Sequence, residues 1–307
     1  MKHFFSFFIL YLFGFSVFAQ TNLDKTIMVD GKRRDYIIHL PKNYQALSKP
    51  PILVALHGSG GRDENTQRLY RLDAPADKYG YIVVYPQAIY RNWNIPGISA
   101  YGQIDSTADD THFISSLIDS VIRFYKGDST RVFVTGLSRG GKFSLYLADK
   151  LNSKIKAVAP VCASIPNYME DNYHFNKPMP VLLINGTEDP LVSYKGGYGR
   201  LNTGQHTGPG FYMLPTEELV NKLVNLNHCD STVTITNIPD TDPSDGCKAI
   251  KYFYKNDAAP VEFIKIIGGG HTWAGGFQYL PVFAIGNTCK DFSAADEILD
   301  FFNLFSH

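Results

Sequence analysis

Val132-Phe133-Val134-Thr135-Gly136-Leu137-Ser138-Arg139-Gly140-Gly141 decides how the rest of the chain is read. Its first four residues are apolar, aromatic or β-branched, the composition of a short strand covered on both faces. Lys142 to Leu151 then places apolar residues at helical spacing. Between them Gly136-x-Ser138-x-Gly140 makes a sharp strand-to-helix turn, with small neighbours giving room for the bend and a serine hydroxyl held out from the end of a sheet. The turn also sets Ser138 at a helix N-terminus, where the Arg139 N–H faces any negative charge that develops there. Glycine and serine cluster by chance, and an ordinary N-cap serine is the alternative; the strand before and the helix after are what give the pattern its weight.

Working outward, the same alternation repeats. Tyr36 to Leu40, Ile52 to Leu56, Tyr81 to Tyr85, Ala157 to Ala159, Val181 to Ile184 and Val261 to Ile267 are short apolar runs suited to buried strands. Phe113, Ile114, Leu117, Ile118, Val121 and Ile122 recur at helical spacing, and Thr107-x-x-Asp110 before them reads as a capping box for a helix starting near Ala108. Thr216 to Leu226 is a further helix, and a last one opens with Ser293-x-x-Asp296. Strands alternating with helices predict a doubly wound, three-layer α/β fold on a mostly parallel sheet. No repeat, low-complexity tract or linker marks a second domain, so residues 20–307 are expected to form one unit.

The chain has 307 residues, 44% hydrophobic and 19% charged, with zero formal net charge. That balance argues against a nucleic-acid or anionic-membrane partner, since neither finds a basic footprint. Lys2, the apolar run Phe4 to Phe18 and the small Ala19 read as a signal peptide over residues 1–19, the run being shorter than the roughly 20 residues that span a bilayer. The expected location is therefore secreted, extracellular or periplasmic, where disulfides form. Among Cys162, Cys229, Cys247 and Cys289, the pair Cys229 and Cys247 flanks the strand-like Thr232 to Thr236 and is the expected bridge; Cys162 reads as a buried thiol.

Three further motifs follow predicted strands. Leu56-His57-Gly58-Ser59-Gly60-Gly61 is a glycine-rich loop early in the chain, with the Ser59 N–H as the second candidate donor to an oxyanion. It lacks the spacing of a phosphate-cradling loop. Asn185-Gly186-Thr187-Glu188-Asp189-Pro190 offers Asp189, with Glu188 as a rival carboxylate. Its Asn-Gly-Thr is also a glycosylation sequon, set aside as a buried strand end. Gly268-Gly269-Gly270-His271-Thr272-Trp273 presents His271 on a loop tip. The order nucleophile, acid, histidine is that of α/β-hydrolases, which makes Ser138, Asp189 and His271 a candidate catalytic triad and His57 a loop-fixing residue rather than a base.

With these residues in view the chain resembles the secreted esterases of the polyhydroxybutyrate-depolymerase and feruloyl-esterase type, in carbohydrate esterase family 1. Matching stretches are Leu56 to Gly61, Trp93-Asn94, Asp109-Asp110 with Phe113-Ile114, Val134 to Gly141, Gly186 to Pro190 and Gly269 to Trp273. Asn185, Ser193 and Ala274 depart from that group's usual histidine, proline and proline. The resemblance implies one α/β-hydrolase domain without metal or organic cofactor, acting on feruloyl or acetyl esters of plant polysaccharide or on a polyester of 3-hydroxybutyrate. A serine peptidase of the same fold and a non-catalytic carbohydrate-binding homologue are the readings from other classes. Trp93 and Trp273, near the motifs, are expected to line a substrate pocket. The aperiodic stretch Lys195 to Met213 is expected to be a lid or specificity loop.

Overall fold

The computed structural model describes residues 21–98, 102–169, 173–197 and 212–306. The proposed signal peptide and most of the 195–213 stretch lie outside these residues. Among them, the strands are β1 (Asn22–Val29), β2 (Lys32–His39), β3 (Ile52–Leu56), β4 (Ile82–Pro86), β5 (Val132–Leu137), β6 (Ala157–Val161), β7 (Val181–Gly186), β8 (Val233–Asn237), β9 (Lys248–Tyr254) and β10 (Val261–Ile267). They form one sheet in the order β1-β2-β4-β3-β5-β6-β7-β10-β9-β8. From β4 to β10 the neighbours run parallel. Antiparallel pairs finish both edges.

The helices are α1 (Asp63–Tyr70), α2 (Asp73–Tyr79), α3 (Asp110–Tyr125), α4 (Arg139–Lys150), α5 (Thr216–Leu226), α6 (Val282–Ile285) and α7 (Ala294–Asn303). Because side chains alternate along a strand, β3 serves two cores at once. Ile52, Val54 and Leu56 pack with Phe113, Leu117 and Phe143 of α3 and α4, whereas Leu53 and Ala55 pack with Ala76 of α2 and Ile298 and Phe302 of α7. The sheet is thus the middle of three layers, as the alternation of runs predicts.

Two local expectations shift. The α3 cap is Asp109, whose carboxylate accepts from the His112 N–H; Thr107 instead bonds Asp105 in the preceding turn. The Ser293 cap of α7 stands as read, accepting from Asp296 N–H. The Cys229–Cys247 bridge does not form, and all four cysteines are free thiols. Cys229 sits at the start of β10, its thiol against Ala259 O, while Cys247 precedes Lys248, which pairs with Ile267 at the other end of the same strand. Six steps of about 3.3 Å put them roughly 20 Å apart, and a disulfide needs Cα atoms within about 7 Å. The neighbour of Cys247 is Cys289, with Asp245 beside both. Adjacency in sequence suggested the wrong pair because β9 turns back along β10.

Helix α4 approaches the end of β3 so closely that a Cβ on Gly140 would stand 2.1 Å from Leu56 O and 2.7 Å from His57 O. Both are backbone atoms, at the end of β3 and just past it, so neither yields cheaply. Gly140→Ala is expected to destabilise the protein by roughly 2–3 kcal/mol, through displacement of the helix that carries Ser138. Urea denaturation of the variant beside the parent measures it.

Candidate active site

The motif-bearing loops all leave the carboxyl ends of parallel strands, where open α/β sheets hold their ligands. After β5, Ser138 takes φ 59° and ψ −117°, a conformation that L residues avoid. It is held from both sides: Ser138 N–H donates 2.9 Å to Val161 O of β6, and its carbonyl accepts from Lys142 N–H as α4 begins.

After β7, Asp189 is buried, and its two carboxylate oxygens have different duties. Oδ1 accepts from the Leu191 and Val192 N–H groups, each at 2.8 Å, and Oδ2 lies 2.7 Å from His271 Nδ1. The rival Glu188 is exposed, so the structure separates the two carboxylates by burial. Asn185 is buried and bonds Ala163 through both ends of its amide and Thr216 through Nδ2, a tie between β7 and the segment after β6 rather than a surface sequon. His271 is buried as well, and its loop lies so close to β7 that a Cβ on Gly186 would meet Gly269 O at 2.2 Å.

Ser138, His271, Ser59 and Arg139 line one cavity of about 470 Å³, within the range of small-molecule sites. Among the described residues no hydrogen bond engages the Ser59 N–H, while the Gly60 and Gly61 N–H groups donate to Arg91 O and Gly58 O. Sequence reasoning missed the other walls: the apolar Leu191, Val192, Phe277, Tyr279 and Leu280, and Lys142. Nothing in their spacing marks them; only the sheet topology brings the 277–280 stretch over the Ser138 turn.

Trp93 and Trp273 correct an expectation. Both are fully buried and neither lines the cavity. Trp93 instead stands behind the glycine-rich loop after β3, donating Nε1–H to His57 O at 2.9 Å and accepting from Arg139 Nε at 2.8 Å on its carbonyl. Trp273 stacks on Tyr70 with ring centroids 3.9 Å apart and planes 2° from parallel. Tyr70 in turn donates to Leu56 O and accepts from Leu137 N–H, both at 2.9 Å, which ties the end of β3 to the serine turn. The indoles therefore brace the loops from behind, where an aromatic near a motif gives the same sequence signal as one in a pocket.

Behind Trp93 sits a charged anchor. Arg34 and Asp110 are both buried, Arg34 donates to Asp110, and its guanidinium stacks 3.7 Å over Phe113. The second Asp110 oxygen accepts from Asn94 N–H at 2.6 Å, fixing the Trp93 loop.

Cys162, with φ 48°, places its thiol within 4.8 Å of both Asp189 and His271. Burial, and after it the Asp189 charge, pushes the thiol far up, and it donates to Thr272 O and Gly270 O. A metal would require the thiolate and a free histidine nitrogen, whereas here the thiol keeps its proton and Nδ1 faces Asp189; the trio fits hydrogen bonding better than coordination. Asp245, Cys247 and Cys289 form a second such group.

Comparison with known proteins agrees with this geometry. Residues 34–170 match the family model described as Esterase PHB depolymerase. An esterase-like protein of Nocardia uniformis subsp. tsuyamanensis, NocK, is 28% identical over 92% of this chain and 82% of its own length. Feruloyl esterase B of Talaromyces funiculosus is 38% identical over 52% of this chain, which spans 41% of that enzyme. The structure of acetyl xylan esterase from Aspergillus awamori superposes with a TM-score of 0.60 at 16% identity, covering 93% of this chain and all of that one. The chain has the α/β-hydrolase fold, its residues 34–170 match the Esterase PHB depolymerase model, and the relatives it resembles are esterases. Among the described residues no helix is long and apolar enough to cross a membrane.

His57 supports its loop as a neutral ring. Nδ1–H donates 2.7 Å to Gly58 O and Nε2 accepts from Ala88 N–H at 3.1 Å. Burial pulls its pKa down to about 4 from the ordinary 6.5. The folded ring thus resists a proton that the unfolded ring accepts, so the stability it contributes is complete above about 6.5 and drains away as pH falls toward 4. Between pH 7.5 and 5 this one group is expected to withdraw about 2 kcal/mol. Denaturation midpoints across that range, with His57→Gln as a variant of lower but flatter stability, check it.

Proposed function

We propose that the protein is a secreted serine hydrolase of carboxylic esters, with Ser138 as nucleophile, His271 as general base and acid, and Asp189 as the residue that orients and charge-balances the imidazole. The observation that carries this reading is the 2.7 Å contact between His271 Nδ1 and the buried Asp189 carboxylate in the wall of the cavity that Ser138 lines. With Nδ1 engaged by Asp189, Nε2 is the nitrogen available to take the proton of Ser138, which lines the same cavity.

In the first half-reaction Ser138 Oγ attacks the ester carbonyl carbon while its proton passes to His271 Nε2. The oxyanion is held by the N–H groups of Arg139 and Ser59, a fixed pair of donors in a water-poor site. Collapse expels the alcohol, which takes the proton from Nε2 and leaves an acyl-Ser138 ester. Water then attacks that ester, its proton going to Nε2, and the carboxylic acid departs as Ser138 regains its hydrogen. Asp189 stays ionised throughout, its Oδ1 held by two backbone N–H groups.

Feruloyl or acetyl esters of plant polysaccharide are the substrate class that the relatives' names favour. A hydroxyalkanoate polyester is the second reading, favoured by the description of the matching family model and by the apolar Leu191–Val192 and Phe277–Leu280 wall. The 195–213 stretch is the proposed specificity loop: its described ends close on each other through Gly197 and Met213, the two N–H groups each donating 3.0 Å to the other's carbonyl.

Ser138→Ala and His271→Ala are each expected to lower kcat for 4-nitrophenyl acetate by about 10⁴-fold or more with the circular dichroism spectrum of the parent retained, Ser138→Ala also keeping its melting temperature. A fluorophosphonate probe is expected to label the parent and not Ser138→Ala. Parent-like turnover in either variant removes the triad.

A further inference from the structure

We propose that the ester accepted by this cavity carries a carboxylate, and that the Lys142 ammonium is the group that holds it. The inference rests on the hydrolase reading above and names the substrate chemistry of the same site.

Lys142 is one turn into α4 from Ser138, and its own N–H closes that turn on Ser138 O. Its side chain is half-buried and lines the cavity beside the nucleophile. Among the described residues the ammonium has no carboxylate partner and no side-chain hydrogen bond, whereas Lys32, Lys42, Lys150, Lys154, Lys251 and Lys265 each have an ion-pair partner. A cation drawn partly out of water without an anion bears part of its desolvation cost uncompensated, and sites keep such charges for a ligand.

The cavity offers it nothing of its own. The lining contains no Asp or Glu. Asp189 stands behind His271, already accepting three hydrogen bonds. The Arg139 guanidinium is turned away onto the carbonyls of Trp93 and Ile98. Arg68, exposed at the mouth over the Phe277 ring, adds a second positive charge. Burial first, then the nearby Arg139 charge, pulls the Lys142 pKa down to about 8, with Asp189 acting the other way. The ammonium is thus an under-compensated point charge in a cavity with an apolar wall. An ester whose carbon chain lies on that wall and whose anionic end reaches Lys142 completes both halves of the cavity.

The carboxylate can belong to the acyl part or to the alcohol part, and two matched pairs separate these. The first is 4-nitrophenyl hydrogen adipate against 4-nitrophenyl hexanoate; the second is 3-acetoxybutyrate against its amide. The parent is expected to prefer the charged member of at least one pair by about tenfold or more in kcat/KM, and the pair that shows it identifies the side. Lys142→Met is expected to bring that ratio to within about twofold of unity and Lys142→Arg to retain most of it. The ratio is taken within each variant, so a general loss of activity cancels. A ratio at or below one in the parent for both pairs, with the neutral esters still turned over, overturns the inference and leaves the hydrolase reading intact. A preference that survives in Lys142→Met overturns the role of Lys142. Absence of turnover for every ester together with absence of fluorophosphonate labelling overturns the hydrolase reading and this inference with it.

Discussion

Ser138 holds a backbone conformation that costs on the order of 1–3 kcal/mol, and the structure around it exists in the form that makes this cost bearable. The turn is clamped by Val161 O on one side, by the start of α4 on the other, and by Tyr70 beneath Leu137. The clamps come from three separate elements: β6 beside β5, the helix α4 that follows it, and α1, which carries Tyr70. A strained residue persists only when its surroundings over-determine it, so the parallel centre of the sheet is also what keeps a hydroxyl exposed at its rim.

Two braces extend that constraint to the remaining loops. Trp273 and Tyr70 form a stack behind the serine turn, and Trp93 links the His57 carbonyl to Arg139. The Trp93 loop is itself anchored by the Arg34–Asp110 pair stacked on Phe113. Breaking such a buried pair from one side typically costs 3–5 kcal/mol, so its position under a site loop couples global stability to local geometry. Asp189 and His271 need less support from side chains, because β7 and β10 are hydrogen-bonded partners and carry them on adjacent strand ends.

The central strands were legible because they are buried on both faces and therefore read as unbroken apolar runs; Val261 to Ile267 coincides with β10 to the residue. The edges were not. β1 is mostly exposed or half-exposed, and β9 buries one residue fully, so neither shows a period that separates strand from loop. The short α1 and α2 are polar or contain Pro75, and only tertiary packing makes them helices. At the site, order along the chain singled out Ser138, Asp189 and His271 as candidates, since each follows a buried strand, and the structure sets Asp189 against His271 and puts His271 and Ser138 in the wall of one cavity. The roles of Trp93, Trp273 and the cysteine neighbours depend on which side of a loop faces outward and on how β9 doubles back, neither of which is encoded in local spacing. Lys142 was visible only as a helix residue; its significance lies in what is missing around it.

The pairing of Val181 with Val261 and of Ile184 with Ile264 joins segments far apart in the chain. Non-local parallel pairing of this kind forms late and slowly, after long loops have closed. A nascent or partly threaded polypeptide therefore possesses the serine turn well before the imidazole arrives next to it. The proposed proton transfer becomes feasible only once β10 has slotted between β7 and β9, so the proposed chemistry is the last attribute the molecule acquires.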